Sequence, residues 1–446
     1  MLKTLTSLTI LDISFNSFNS TDILNSLCNH ASLIRLDLSD NPLEGSLPAC
    51  LGNLTSLRLF DLGNNKFGGE IPSELGNLKQ LETLSLRFNH FIREIPDQLC
   101  NLSSLAFLSL SENRLTGKIP LCFGNLQQLS GLYLSKNNFQ GALPSVLKKL
   151  KHLSELDLSG NNFSGPVPEW VGEELTQLQS LNLHSNKFYD LLPSSLKNLK
   201  LLTQLDLGGN QLTGAIPDWI GEELSGLWNL VLSSNHFHGV LPSSLKNLKV
   251  LTNLHLGWNN LTGTIPEWIG EELSEFWDLR LQSNNFNGSL PSCLGNLTSL
   301  MVFDLGHHEF GGEVPCELGL LKQLQTFSLG FNHLYGTIPS TLWQLTKLQE
   351  LDISVNSLTG EVSEIHLREL KSLKSLDLPS NQFIIEFPMD TSISASAHRA
   401  GFCVSWGASV LIEELENMDY TSSRDEPIYR HHTRLDRRRI ATIRGP

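Results

Sequence analysis

The sequence lacks several features that would each place it in a class. It has no run of 18 apolar residues, so no segment reads as a membrane-spanning helix. Its opening, Met1 to Leu8, lacks the apolar stretch and cleavage site of a secretory leader. Cysteine is sparse and odd in number, seven in 446 residues, too few for a disulfide scaffold. Basic residues number 32 against 46 acidic ones, a net charge of -14, which argues against a nucleic-acid partner. There is no metal-ligand spacing, no nucleophile elbow and no paired acid and base. The glycine-rich loop with Val-Ala-Ile-Lys, the His-Arg-Asp and the Asp-Phe-Gly of a kinase are missing too. The expectation is a chain that is not an enzyme and needs no cofactor or metal.

What is abundant is leucine in a fixed frame. Leu-x-x-Leu-x-Leu-x-x-Asn recurs with its asparagine at positions 16, 41, 65, 89, 113, 137, 161, 186, 210, 235, 259, 284, 332, 356 and 381, and His308 stands in the asparagine place of one further copy. That makes 16 units, spaced 24 or 25 residues apart. In Leu156-Asp157-Leu158 the leucines alternate with a polar residue, the pattern of a short strand with one buried face. One such strand cannot build a core; sixteen stacked side by side can. At about 4.8 Å per strand the stack spans very roughly 75 Å. The asparagine amide both donates and accepts, so it is expected to satisfy backbone groups of its own coil and the next. The fold class is α/β: a leucine-rich-repeat solenoid with a parallel sheet on the concave face and short 3-10 or helical turns on the convex face.

After each asparagine comes a second signature, as in Leu115-Thr-Gly-Lys-Ile-Pro120, Leu212-Thr-Gly-Ala-Ile-Pro217 and Leu261-Thr-Gly-Thr-Ile-Pro266. Glycine permits a turn and Ile-Pro an extended segment. Leu51-Gly-Asn-Leu54 reads as a short convex helical turn. A 49-residue period lies inside the first: Leu192 to Lys200 reappears unchanged at Leu241 to Lys249, and Trp170, Trp219 and Trp268 keep the same step. These tryptophans, each before Val/Ile-Gly-Glu-Glu-Leu, are expected to pack on the following coil, with the extra residue of that turn bulging the convex side.

Leu-x-Gly-x-Ile-Pro at this period resembles the plant-specific class of leucine-rich repeats over residues 1–389. That class builds the ectodomains of receptor-like kinases and receptor-like proteins, and secreted polygalacturonase inhibitors. The resemblance implies ligand recognition on the concave sheet: a peptide, a carbohydrate or a partner receptor, in defence or developmental signalling, with a possible co-receptor kinase. It implies the extracellular face of the plasma membrane, reached only through segments absent from this chain. The inhibitors have fewer repeats, so sixteen units favour the receptor; a truncated, non-signalling fragment is the third reading. The family's cysteine-containing caps are not recognisable at either end.

Cys28 and Cys50 are 22 residues apart, as are Cys100 and Cys122, which places each pair on neighbouring convex turns. They are either disulfides or buried thiols. Cys293 and Cys316 form a weaker pair and Cys403 is left over. N-glycosylation sequons occur at Asn19, Asn53, Asn101, Asn162, Asn260, Asn287 and Asn296. With the paired cysteines they favour a secretory compartment.

On most strands the outward positions are small or polar. Three successive coils depart from this, with Trp228 and Val231, then His255 and Trp258, then Trp277 and Arg280. These six are expected to form one compact concave patch, extended by Met301, Val302, His307 and Phe331. Tryptophan beside arginine is a hot-spot composition. Arg87, Phe88, Phe107 and Tyr133 make a weaker second patch. Asp37, Asp61, Asp157, Asp206, Asp304 and Asp352 share one repeat position and form an acidic stripe.

The repeat stops near Pro388. Residues 390–446 read as a disordered tail with eight arginines and no lysine, including the run Arg434 to Arg444, and Val404 to Leu415 as a short helix over the last coil.

Overall fold

A computed structural model describes residues 5, 7–19, 22–386 and 403–404. Coils are numbered here by the repeat asparagine, from coil 1 (Asn16) to coil 16 (Asn381). Each contributes a three-residue strand, from Ile10–Asp12 in coil 1 to Ser375–Asp377 in coil 16. These pair in parallel, in strict sequence order and without slippage: Leu132, Leu156 and Leu181 are in register on successive strands. Cys403–Val404 adds a seventeenth strand beside Ser375 and Leu376, so Val404 is extended and not helical. The rest of the expected tail, with the arginine run, lies outside the described residues.

A second parallel sheet of 15 strands runs beside the first. It is built from the segments after each asparagine, such as Arg114–Gly117 and Gln211–Gly214. The Leu-Thr-Gly signature, which reads as a turn, is therefore a strand. Its glycine has positive φ, +83° at Gly117, where an L side chain is strained.

The convex turns divide by repeat length. All five 25-residue spacings hold an α-helical turn: Asp22–Leu27, Trp170–Glu174, Trp219–Glu223, Trp268–Glu272 and Glu364–Glu369. The ten 24-residue spacings hold 3-10 turns, such as Ser73–Asn77. An α-helix rises about 1.5 Å per residue and a 3-10 helix about 2.0 Å, so six α residues span no more than five 3-10 residues. The extra residue is taken up by the smaller rise per residue of the α turn. Trp170, Trp219 and Trp268 are half-buried against the core.

The asparagine ladder is the main polar frame of the core. Asn89 Nδ2 lies 3.2 Å and 3.0 Å from the carbonyl oxygens of Leu86 and Arg87 in its own coil and 2.9 Å from that of Leu62. Its Oδ1 accepts from Phe67 N–H at 2.9 Å. Leu62 and Phe67 belong to the preceding coil, so each amide ties backward along the chain and not forward. A phenylalanine column runs alongside, with Phe139, Phe163 and Phe188 stacked at 6.2 and 6.5 Å.

The disulfide register follows from the convex turns. In Leu-Gly-Asn turns the glycine faces the second residue of the next turn: a Cβ on Gly52 would sit 2.4 Å from Glu74 O. Cys28 and Cys100 occupy that glycine place, and Cys50 and Cys122 the facing one. Both pairs are bonded, with Cα–Cα distances of 5.3 and 5.7 Å. Cys293 faces Gly270, and Cys316 stands one place off this register; both are free thiols.

Candidate ligand-binding face

Within each repeat the outward residues occupy fixed rows across the concave sheet, so coil register decides which side chains meet. Trp228, Thr252 and Trp277 share the row before the strand. Thr252 N–H and Oγ1–H both donate to Trp228 O, and Trp277 N–H donates to Thr252 O. Met301 continues this row, its N–H on Trp277 O. Val231, His255 and Arg280 share the central row. Trp258, His307 and Phe331 share the far row, just before the ladder residue. The expected single patch is therefore three rows, with Trp258 on the opposite margin from the other two tryptophans.

Exposure separates these residues further. Trp228, Trp258 and Trp277 are 36, 42 and 46% exposed, but Val231 only 7%, so Val231 offers a ligand little surface. Val302 pairs within the sheet beside Asp278 and is half-buried. His307 stacks on Phe331 with centroids 4.2 Å apart. The far row has left-handed backbone in all sixteen coils, including Trp258 at +59°, His307 at +60° and Phe331 at +57°. Glycine serves there in coils 7 and 9 (Gly160, Gly209). Aromatics at such a position carry strain of about 1 kcal/mol, to be set against what their rings do.

The acidic stripe has a local structural task. Asp37 Oδ1 accepts Ser39 N–H at 3.1 Å, Asp61 that of Gly63 at 2.7 Å, and Asp304 that of Gly306 at 3.0 Å. A carboxylate in the central row thus closes the strand end, as in an Asx turn. That row reads Asp12, Asp37, Asp61; then Ser85, Ser109, Tyr133; then Asp157, Asn182, Asp206; then Val231, His255, Arg280; then Asp304, Ser328, Asp352, Asp377. The two runs of three successive strands with neither carboxylate nor amide there coincide with the two aromatic patches.

In the second of these blocks Asp278 is the local counter-charge. His255 Nε2 stands 3.1 Å from Asp278 Oδ2, and Arg280 Nε and Nη2 donate to its two oxygens at 2.8 and 3.2 Å. Burial pushes the Asp278 carboxyl up, but the hydrogen bonds from His255 and Arg280 outweigh it and hold the group below the usual range. In the first block Phe107 and Tyr133 lie 4.9 Å apart over Gly131, where a Cβ would clash with both rings. Tyr133 donates to Glu155, and burial with that partner raises its phenol. Phe88 is 48% exposed, and the Arg87 stem lies over Gly63.

His184, on coil 8, is a candidate that the sequence pattern does not single out. Its Nδ1 is 3.0 Å from Asp206 Oδ1, which raises its pKa against the opposing effect of burial. The signal was present: the position after the strand faces the central-row carboxylate of the next coil. All seven sequon asparagines are exposed, and none lies on the concave face: Asn53, Asn101 and Asn296 end convex turns, and Asn162, Asn260 and Asn287 lie on the second sheet.

Models described as leucine-rich repeat or leucine-rich repeat region match residues 13–163, 176–236, 226–248, 250–271 and 322–383. A TDR receptor structure is 32% identical, with 85% of this chain and 69% of that one covered at a TM-score of 0.74. The Arabidopsis receptor kinase HAESA ectodomain with an IDA peptide hormone ligand is 33% identical, with coverage of 90% and 71% and a TM-score of 0.71. The chain belongs to the leucine-rich-repeat family, in its plant receptor-like form. HAESA in complex with IDA and the co-receptor SERK1 also matches, at 30% identity, coverage of 88% and 77%, and a TM-score of 0.63. No curated protein matches the chain. These likenesses support a ligand-binding leucine-rich-repeat ectodomain, a class that binds rather than catalyses. No helix among the described residues is long and apolar enough to cross a membrane.

Proposed function

We propose that the chain is the ligand-recognition ectodomain of a plant cell-surface receptor-like protein or receptor-like kinase, and that it takes a peptide on the concave face at coils 10–12. The observation that carries this reading is the block Val231, His255 and Arg280. Three successive strands there lack the side-chain oxygen that closes the strand end on coils 1–3, 7–9, 13 and 15, and the same coils present Trp228, Trp258 and Trp277 on the two margins. A local stabilising device is given up where large aromatic surface is exposed, as recognition sites require. The HAESA complexes support a peptide as ligand and a co-receptor kinase as partner. The exposed sequons and the Cys28–Cys50 and Cys100–Cys122 bonds support a glycosylated chain on the outer face of the plasma membrane.

The test is to select peptides from a random library on the immobilised chain and compare the His255→Asp/Arg280→Asp variant. That variant returns carboxylates to coils 11 and 12 but takes both partners from Asp278, so its folding is verified by circular dichroism before affinities are compared. It should bind the selected peptides 10-fold or more weakly, measured by calorimetry. Unchanged affinity in the folded variant would remove coils 10–12 as the site.

A further inference from the structure

Trp228 and Trp277 are two coils apart in one backbone-bonded row, with Thr252 between them. At about 4.8 Å per strand their Cα atoms are separated by roughly 9.6 Å along the solenoid axis. A polyproline II helix repeats every three residues at about 3.1 Å each, or roughly 9.3 Å. The two spacings agree to within a few tenths of an ångström. Both indoles are over one-third exposed, and the residue between them in the row is the small Thr252. An ordinary extended strand, at about 3.3 Å per residue with side chains alternating faces, presents same-face residues every 6.6 Å or so and does not match.

The charges around this slot point to the rest of the ligand. The central row carries no carboxylate on coils 10–12. On coil 9 it carries Asp206 and on coil 13 Asp304, three residues or about 10 Å along the strands from the tryptophan row. Arg280 and His255 share Asp278 between them, which keeps the centre close to neutral. A peptide lying along the row meets apolar surface in the middle and carboxylates towards either end.

We infer that Trp228, Thr252 and Trp277 form a slot for a peptide in the polyproline II conformation, with prolines at positions i and i+3 stacked on the two indoles and basic residues to either side. The inference rests on the peptide-receptor reading above and names the class of peptide. The prolines lower the ordering cost of binding, because the conformation is already populated in the free peptide.

The probe is a synthetic ten-residue peptide with proline at positions 4 and 7 and arginine at both ends, titrated by tryptophan fluorescence against the full chain. Saturable binding is expected, weakened 10-fold or more when both prolines become glycine and again when both arginines become glutamate. Trp277→Ala, checked for folding by circular dichroism, should lose binding to a similar degree, whereas Tyr335→Ala on the second sheet should not. Equal binding of the proline and glycine peptides would overturn the slot. So would binding of an oligosaccharide in the peptide's place. Library peptides that bind through His255 and Arg280 but show no proline spacing would overturn the slot and leave peptide recognition standing. Failure of every peptide would remove both.

Discussion

His308 replaces asparagine in the ladder at coil 13, and the exchange is costly. The imidazole is 7% exposed, wedged between Phe286 at 5.3 Å and Phe310 at 4.9 Å, and neither ring nitrogen has a hydrogen-bond partner among the described residues. Burial, opposed only in part by nearby backbone carbonyls, holds its pKa down to about 4. The unfolded value is about 6.5, so between those two values the unfolded chain binds more protons. Stability is therefore full above about pH 6.5 and falls as pH drops towards 4, by about 3 kcal/mol in all. His308→Asn should remove that dependence. It should also raise stability at pH 7 by about 1–3 kcal/mol, because buried groups regain partners. Thermal unfolding of both proteins at pH 7 and pH 4.5 decides it; parallel pH profiles would sink the assignment. The ladder asparagines were plain in the sequence, and so was the exception. That the amides tie to the preceding coil was not, because the direction of stacking is not a property of one repeat.

Convex turns and second-sheet strands carry the next level. Gly221 faces the next turn so closely that a Cβ would stand 2.1 Å from Ser244 O, whereas at Gly311 the nearest atom is 4.0 Å away. Gly221→Ala should cost roughly 3 kcal/mol or more through backbone displacement, and Gly311→Ala roughly 0.5 kcal/mol or less. Denaturant midpoints of the two variants test the contrast; equal midpoints would show that the turns can part without cost. The 24- and 25-residue spacings were countable in advance, yet the division into 3-10 and α turns was not. It arises because both lengths must span the same gap, and rise per residue is the free variable. The second sheet is not legible in the sequence because Gln211–Gly214 has no alternating apolar pattern and its glycine reads as a turn. Such a strand exists only when the adjacent coil supplies its partners.

For the molecule as a whole, stacking makes stability local, since each coil touches only its neighbours. The disulfides Cys28–Cys50 and Cys100–Cys122 lie on coils 1–2 and 4–5, and each closes a span of 22 residues. Reduction should destabilise these N-terminal coils by about 3 kcal/mol per bond and split off a lower-temperature transition. Calorimetry with and without dithiothreitol reads this directly; one unchanged transition would mean that the N-terminal coils do not depend on their cross-links.

The amino-acid sequence alone determined the solenoid, its sixteen coils, the buried leucines and asparagines, and the coils that hold the unusual aromatics. Each of these is a statement about period, and period is local. Only the tertiary structure decided that Trp228 and Trp277 share a row while Trp258 stands on the far margin, that Val231 is covered, and that Cys28 meets Cys50 while Cys293 meets a glycine. In a solenoid a residue's neighbours across the face lie 24 or 25 positions away, so which side chains meet is set by coil register, and register exists only once the coils are stacked.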